Sequence, residues 1–459
     1  MSIDSRMIKK VGFLFRLNPF VIATVITAAL FCLALPGQSQ TSGGSGASKG
    51  DQPLPQMSEN GPLQLDIYGG IRDLYKIAVP KPLGHSATAE DIKQISEKAL
   101  QVSSLFKVLD SNSFIADLSK EGLGITPEPW TTVGAQGVIK GQATVTNGRI
   151  ELEFRLYEVA RGTQPVLSRT YKGGANDVRP STYKWINEVI KYFTGEVGVF
   201  GSKIAFARRT APGQKDIFTV FCDGSGTSRV THNGSINLLP AWGPGGSIYY
   251  TSFFNGFPNL YRSDKKTAIL AEEGLNMGPA LSRDGSKMAV VLSRDGNPEI
   301  YVSDPQGGNL RRLTNDGAIE VSPTWSPDGS RIAFVSDRHG SPQIFVMNAD
   351  GSGVKRITFR GTYNQTPVWS PRKDIPLIAF TGRDGGTYDI FTINADTGAM
   401  RRLTQNQGTN MDPAWSPDGK LIAFHSSRGG IFLMNAEGLN QNLILPGAAE
   451  TLKWSPYVP

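Results

Sequence analysis

Cysteine is nearly missing from this chain: only Cys32 and Cys222 are present. Cys32 lies in a segment that reads as a removable leader, so the mature chain keeps one thiol and packing alone must hold it together. Histidine is equally scarce, with His85, His232, His339 and His425 scattered along the chain. No H-E-x-x-H helix, G-x-S-x-G elbow or phosphate-binding loop occurs, which disfavours zinc hydrolysis, serine nucleophile chemistry and nucleotide hydrolysis. Long apolar runs are also lacking. The one candidate, Val21 to Leu35, is shorter than the roughly 20 residues that cross a bilayer, so an integral membrane protein is not expected. Nor is there a strong charge imbalance: of the formal +7, residues 1–39 carry +3, which leaves +4 for the rest. That is too weak a field to argue for nucleic acid.

What is present begins with a leader. Arg6, Lys9, Lys10 and Arg16 precede the apolar run, and the small and polar Gly37-Gln38-Ser39 follow it. Residues 1–39 therefore read as a secretory signal peptide, and export to the periplasm is expected. Phe31 stands directly before Cys32, where lipid attachment calls for a small residue, so acylation is not expected. Residues 40–62 are rich in Gly, Ser and Pro and have no apolar periodicity, the composition of a flexible segment.

Residues 63–198 read as an α/β domain. Strands are predicted at Leu63–Tyr68, Tyr75–Val79 and Phe106–Leu109, with an amphipathic helix at Thr88–Ser103 between the last two. Ala135–Thr146 and Arg149–Val159 are joined by Asn147-Gly148, a dipeptide suited to a tight hairpin, and Val166–Tyr171 follows. A helix from Pro180 to Phe193 places Trp185, Val189 and Phe193 on one face and stops at Gly195.

From residue 199 to 459 the texture becomes a repeat. Ala241-Trp242-Gly243-Pro244, Thr324-Trp325-Ser326-Pro327, Val368-Trp369-Ser370-Pro371, Ala414-Trp415-Ser416-Pro417 and Lys453-Trp454-Ser455-Pro456 share one anchor. Ala280-Leu281-Ser282-Arg283 is a degraded sixth copy, and the spacings of 39, 44, 44, 46 and 39 residues suit four short strands per unit. The first second-strand, Ile204-Ala205-Phe206, has no anchor upstream, and the last anchor, Trp454, has no such strand downstream. Pairing those two ends completes a sixth unit and removes the exposed edges of an open array. The fold class expected is an α+β N-terminal domain followed by an all-β six-bladed β-propeller closed by pairing of its N- and C-terminal strands.

The leader, the small α/β domain, repeats of the form Trp-Ser-Pro-Asp-Gly and the final Trp454-Ser455-Pro456-Tyr457 together resemble the TolB family of the Tol-Pal system, over nearly all of residues 63–459. The resemblance implies a periplasmic, non-enzymatic scaffold that binds the peptidoglycan-associated lipoprotein Pal through the propeller and the inner-membrane protein TolA through its N-terminal segment. It further implies a part in outer-membrane integrity, in constriction at division and in bacteriocin import. Here the segment Gln40–Gly61 is longer and richer in Gly and Ser than the family pattern, so no TolA-contacting residue is assigned.

Five residues before each anchor stand Asn237, Asn276, Glu320, Asn364, Asn410 and Ala449. Lying just before the innermost strands, they are expected to ring one mouth of the channel, either as a polar docking surface or as turn residues. Met277, Val321, Gln365 and Met411 stand next to them, with Tyr363 as an aromatic anchor, and the partner-binding set is drawn from these residues. Arg294, Arg338, Arg383 and Arg428 follow the second strands as turn caps or a basic rim. The anchor tryptophans are assigned to packing between blades. Asp328, Asp350 and Asp418 are assigned to turns, because the twelve-residue calcium-loop pattern is missing. No cofactor, metal or second copy is expected. Two alternatives stay open, a propeller enzyme with a channel metal such as a lyase or lactonase, and a cell-wall carbohydrate reader, which calls for several exposed aromatic platforms, whereas the spare aromatics Phe253, Phe254, Phe257 and Tyr363 do not recur between blades.

Overall fold

The computed structural model describes residues 74–456. The leader, the segment 40–62, the strand expected at Leu63–Tyr68 and the terminal Tyr457 lie outside the described residues.

The N-terminal domain is a sheet of β1 (Tyr75–Ala78), β2 (Leu83–Gly84), β3 (Phe106–Val108), β4 (Gly137–Thr146), β5 (Arg149–Glu158) and β6 (Leu167–Gly174), ordered β3-β1-β4-β5-β6 with β2 beside β4. β1 is parallel to both neighbours, while β4, β5 and β6 form the expected antiparallel meander. Asn147 and Gly148 take φ of 50° and 74°, as a tight hairpin demands.

Helix α1 (Ser86–Val102) buries Ile92, Ile95, Ala99 and Leu100, and its first turn is capped by the His85 ring accepting from Thr88 N. Two short helices, α2 (Leu118–Glu121) and α3 (Pro127–Thr132), were not legible in the sequence. They are held by a buried Lys140–Glu121 ion pair of 2.7 Å, to which the Trp130 indole also donates. Helix α4 (Val178–Thr194) lays Trp185 flat on Phe154, ring centroids 5.3 Å apart, and Gly195 ends it at φ 77°.

Six sheets follow. Blades 1 to 5 have inner strands Asn237–Trp242, Asn276–Leu281, Glu320–Trp325, Tyr363–Trp369 and Asn410–Trp415, each paired antiparallel with the strand after it. In blade 6, Glu450–Trp454 pairs with Lys203–Ala211, and Trp454 stands opposite Ile204. The ring is therefore closed by the two ends of the propeller segment, as the offset repeat predicts. Trp454 Nε1 donates to Ser202 Oγ at 2.8 Å, and Ser455 N donates to Lys203 O at 2.8 Å, tightening that clasp.

The anchor tryptophans pack between blades. Indole N–H groups of Trp242, Trp325 and Trp415 reach the carbonyls of Lys453, Ala280 and Val368 in the preceding blades, at 2.9, 3.0 and 3.2 Å. Ser326 Oγ bonds Asp328, Ser330 N returns to the same carboxylate, and Gly329 takes φ 72°, so the Pro-Asp-Gly segment is a self-bonded turn. Gly351 needs both its φ of 92° and its missing side chain, since a Cβ there would lie 2.6 Å from Leu313 O.

One regularity escaped the sequence. Three residues before each anchor, Leu239, Gly278, Ser322, Thr366, Asp412 and Thr451 all take φ between 49° and 60° at a bulge in the inner strand. Only one is glycine, so composition carried no signal. Side chains around the channel hold the bulges: Thr251 Oγ1 accepts from Gly278 N, Thr381 Oγ1 from Asp412 N and Thr451 Oγ1 from Leu239 N, at 3.0–3.3 Å.

Candidate docking faces of the propeller

Each inner strand runs from its Asn or Glu to its anchor, so the propeller has two unlike faces. The anchor face collects the Trp-Ser-Pro turns around a cavity of about 160 Å³, walled by Trp242, Trp325, Trp369, Trp415 and Trp454. Against the same face sits the N-terminal domain. Tyr183 of α4 donates to Asp223 at 2.6 Å, Arg179 reaches Ser225, and Glu196 pairs with Lys420 at 2.9 Å. Asn187 clamps Phe200 from both sides, donating to its carbonyl at 2.8 Å and accepting from its N–H at 3.0 Å. Cys222 is buried at this seam, where burial pushes its thiol well above the ordinary value. A buried thiol so disfavoured as thiolate is a packing residue.

The opposite, strand-start face carries the residues singled out in the sequence, and their burial corrects the part assigned to them. Asn237, Asn276, Glu320 and Asn410 are fully buried and Asn364 is nearly so. Asn237 Nδ2 donates to Lys215 O at 2.9 Å, and Asn276 Nδ2 to Glu272 O at 2.8 Å. Asn364 and Asn410 donate to Gln343 and Asp389 of the preceding blades at 2.8 and 3.2 Å. These side chains latch blade to blade at the mouth and offer no surface to a partner. The physical reason is that links between blades bury backbone groups, which must find polar partners.

Met277 and Gln365 are also buried, leaving Val321, Tyr363 and Met411 half-exposed on this face. Around them stand exposed apolar side chains that the repeat did not single out, Phe254, Phe257 and Phe359, the last 74% exposed. None recurs from blade to blade, so periodicity held no clue to them.

The arginines form a recurrent layer over third-strand aromatics. Arg338 lies 5.0 Å over Phe345, Arg428 4.2 Å over Phe432 and Arg383 5.9 Å over Tyr388. Arg294 and Arg338 also pair with Glu272 and Glu320, at 2.9 and 3.0 Å. Arg383 and Arg428 make no ion pair among the described residues. The mouth is thus neutralised at blades 2 and 3 and basic at blades 4 and 5.

Charges on the channel wall gather at blades 5 and 6. Asp412 Oδ2 accepts from Thr451 N at 2.7 Å, and it faces His425 and Lys453, whose protonated forms burial disfavours. Glu450, ion-paired with Lys215, is pushed up to about 7 chiefly by burial. Among the described residues no three of His, Cys, Asp and Glu converge as metal ligands. No described helix is long and apolar enough to cross a membrane, which says nothing of crossing by strands.

Residues 63–165 match the family described as the TolB amino-terminal domain, and residues 190–385 match the TolB beta propeller domain. The Tol-Pal system protein TolB of Desulfosudis oleivorans is 37% identical over 256 residues, covering 52% of this chain and 58% of that protein. Its namesake in Anaeromyxobacter dehalogenans is 41% identical over 242 residues, covering 51% and 55%. The match thus spans little more than half the length of these relatives. A crystal structure of TolB from Acinetobacter baumannii superposes with a TM-score of 0.72 at 27% identity, covering 83% of this chain and 97% of that one.

Proposed function

We propose, from the premise that this chain belongs to the TolB family, whose amino-terminal and propeller domains it carries in order, that it is a periplasmic, non-enzymatic scaffold of the Tol-Pal system. In this reading the strand-start face receives Pal. The observation that carries it is the contrast between faces. The anchor face is occupied around blades 5 and 6 by the N-terminal domain, while the opposite mouth sets Val321, Tyr363 and Met411 among exposed phenylalanines and arginines. Exposed aromatic and methionine side chains beside arginine are the composition of protein-binding surfaces. Contact with TolA through the segment before residue 63, and a part in outer-membrane integrity, division and bacteriocin import, belong to the same proposal. The protein acts as a single copy and needs no cofactor.

The test is calorimetric titration of Pal into the wild-type chain and into a Tyr363→Ala, Met411→Arg double variant. Affinity is expected to fall at least tenfold with the melting temperature unchanged. Equal affinity would place the partner elsewhere. Stoichiometric calcium or zinc in the purified protein would instead favour a channel-metal enzyme.

A further inference from the structure

At four of the links between blades, a residue at or near the start of a third strand contacts the residue five before the next anchor. The pairs are Asp216 with Asn237, Asn259 with Asn276, Gln343 with Asn364 and Asp389 with Asn410, in contact at 3.4, 3.4, 2.8 and 3.2 Å. At the blade 5–6 link the pair is Gly430 and Ala449, with nothing polar to match. In each polar pair an amide stands on at least one side, so a donor always meets an acceptor. At the blade 2–3 link the equivalent residues are both acids, Glu299 and Glu320, close enough to interact electrostatically.

Both glutamates are fully buried. Glu299 Oε1 accepts from Arg312 Nη2 at 2.8 Å, Asp316 N at 3.0 Å and Asn297 Nδ2 at 3.3 Å. Glu320 Oε1 accepts from Ser336 Oγ at 2.8 Å and Arg338 Nη2 at 3.0 Å. The second oxygen of each, Oε2, is buried with no hydrogen-bond partner. Two buried carboxylate oxygens without donors cost several kcal/mol if both groups are charged. Two carboxyls in one buried site rarely ionise together.

We infer that the Glu299–Glu320 link is a buried proton-binding site, with the proton held on Glu320. Each glutamate bonds one arginine, but Glu299 Oε1 has three donors and Glu320 Oε1 only two, so Glu320 is the less compensated of the two. Asp295 and Asp316 surround Arg312 and Arg338, at 3.7 and 3.6 Å, and Asp337 accepts from Ile319 N at 2.8 Å, so further acidic charge faces the link from both adjoining loops. A proton satisfies this site better than a metal ion, because each glutamate already holds an arginine and no third ligand joins them among the described residues. Consistent with this placement, burial outweighs Ser336 and Arg338, with a smaller push from Glu299, and raises Glu320 from 4.5 up to about 7.

The sign follows by linkage. An acid whose folded value is raised binds its proton more tightly in the folded state, so its stabilising contribution is complete below about 4.5 and lost as pH rises through about 7. Alkalinisation therefore loosens the blade 2–3 link, directly under Val321 of the mouth, and this holds whether or not a partner docks there.

The test compares melting temperatures of the full chain and its Glu320→Gln variant from pH 5 to 8.5. Gln supplies permanently the donor that the neutral acid supplies at low pH. The two are expected to melt alike at pH 5, with the variant melting a few degrees higher at pH 8.5. A difference independent of pH would overturn the proposal. Should the variant not fold, carboxyl-13C glutamate NMR of the wild-type chain decides. Two glutamates titrating near 7 are expected, Glu450 and Glu320, and Glu450→Gln should remove one of them. A wild-type spectrum with one such glutamate, lost in Glu450→Gln, would refute it.

Discussion

The two faces of the propeller are made by opposite rules. At the anchor face five of the six blades place a Trp at the same position between blades, and Ser282, Ser326 and Ser416 each bond the Asp two residues on in a self-bonded turn. At the strand-start face five of the six links keep polar residues inside, the exception being Gly430 and Ala449, while the exposed residues vary: Phe254 and Phe257 in blade 1, Val321 in blade 3, Tyr363 in blade 4 and Met411 in blade 5. Repetition marks what closes the ring, and variation marks what the mouth exposes to solvent.

That contrast is broken most severely by Trp454→Ala. The ring is only 7% exposed and sits at the clasp, so its loss should cost about 3–5 kcal/mol in denaturant unfolding. A cost under about 1 kcal/mol would show that the clasp does not hold the ring. Next in size is Asn410→Ala, which leaves Asp389 short of a buried donor. It should lower stability by about 1–3 kcal/mol while leaving partner affinity intact; lost affinity without lost stability would restore this residue to the docking surface. Smallest is Phe359→Ser, which should shift unfolding by no more than about 0.5 kcal/mol, the usual range for a surface position. A larger loss would mean that this ring, which lies 5.1 Å from Arg356, supports the blade. Finally, Cys222 should resist thiol reagents until the protein unfolds, and rapid labelling of the native chain would show the domain seam to be open.

Much of this architecture was legible beforehand, for a definite reason. Trp, Pro and Gly each have few substitutes at a sharp turn or a packed seam, so six copies of one blade left five copies of one signature and a degraded sixth, and the offset of Ile204 against Trp454 announced the clasp. Helices α2 and α3 left no such trace, because a four- and a six-residue helix lack a periodic face and are held by the remote pair Lys140–Glu121. The bulges left none either. A positive φ at Leu239 or Thr366 is stabilised by the chain's path and by neighbouring side chains, which composition cannot display.

The candidate site was half legible. Counting back from the anchors placed these residues at one mouth of the channel, because strand direction alone puts them there. It could not tell which side chains face water. Asn276 and Met411 lie close in the repeat frame, yet one is sealed between blades and the other half-exposed, since the twist of adjacent blades decides which side of an inner strand is covered.

By itself, then, the sequence determined the number of blades, the closure of the ring and the order of domains, because these follow from local turn chemistry repeated at a fixed spacing. Only the tertiary structure decided that the asparagines are latches, that Glu299 and Glu320 each bury a carboxylate oxygen without a donor, and which face the N-terminal domain covers. Those outcomes depend on residues distant in the chain sharing a buried volume, and burial is a property of the assembled ring.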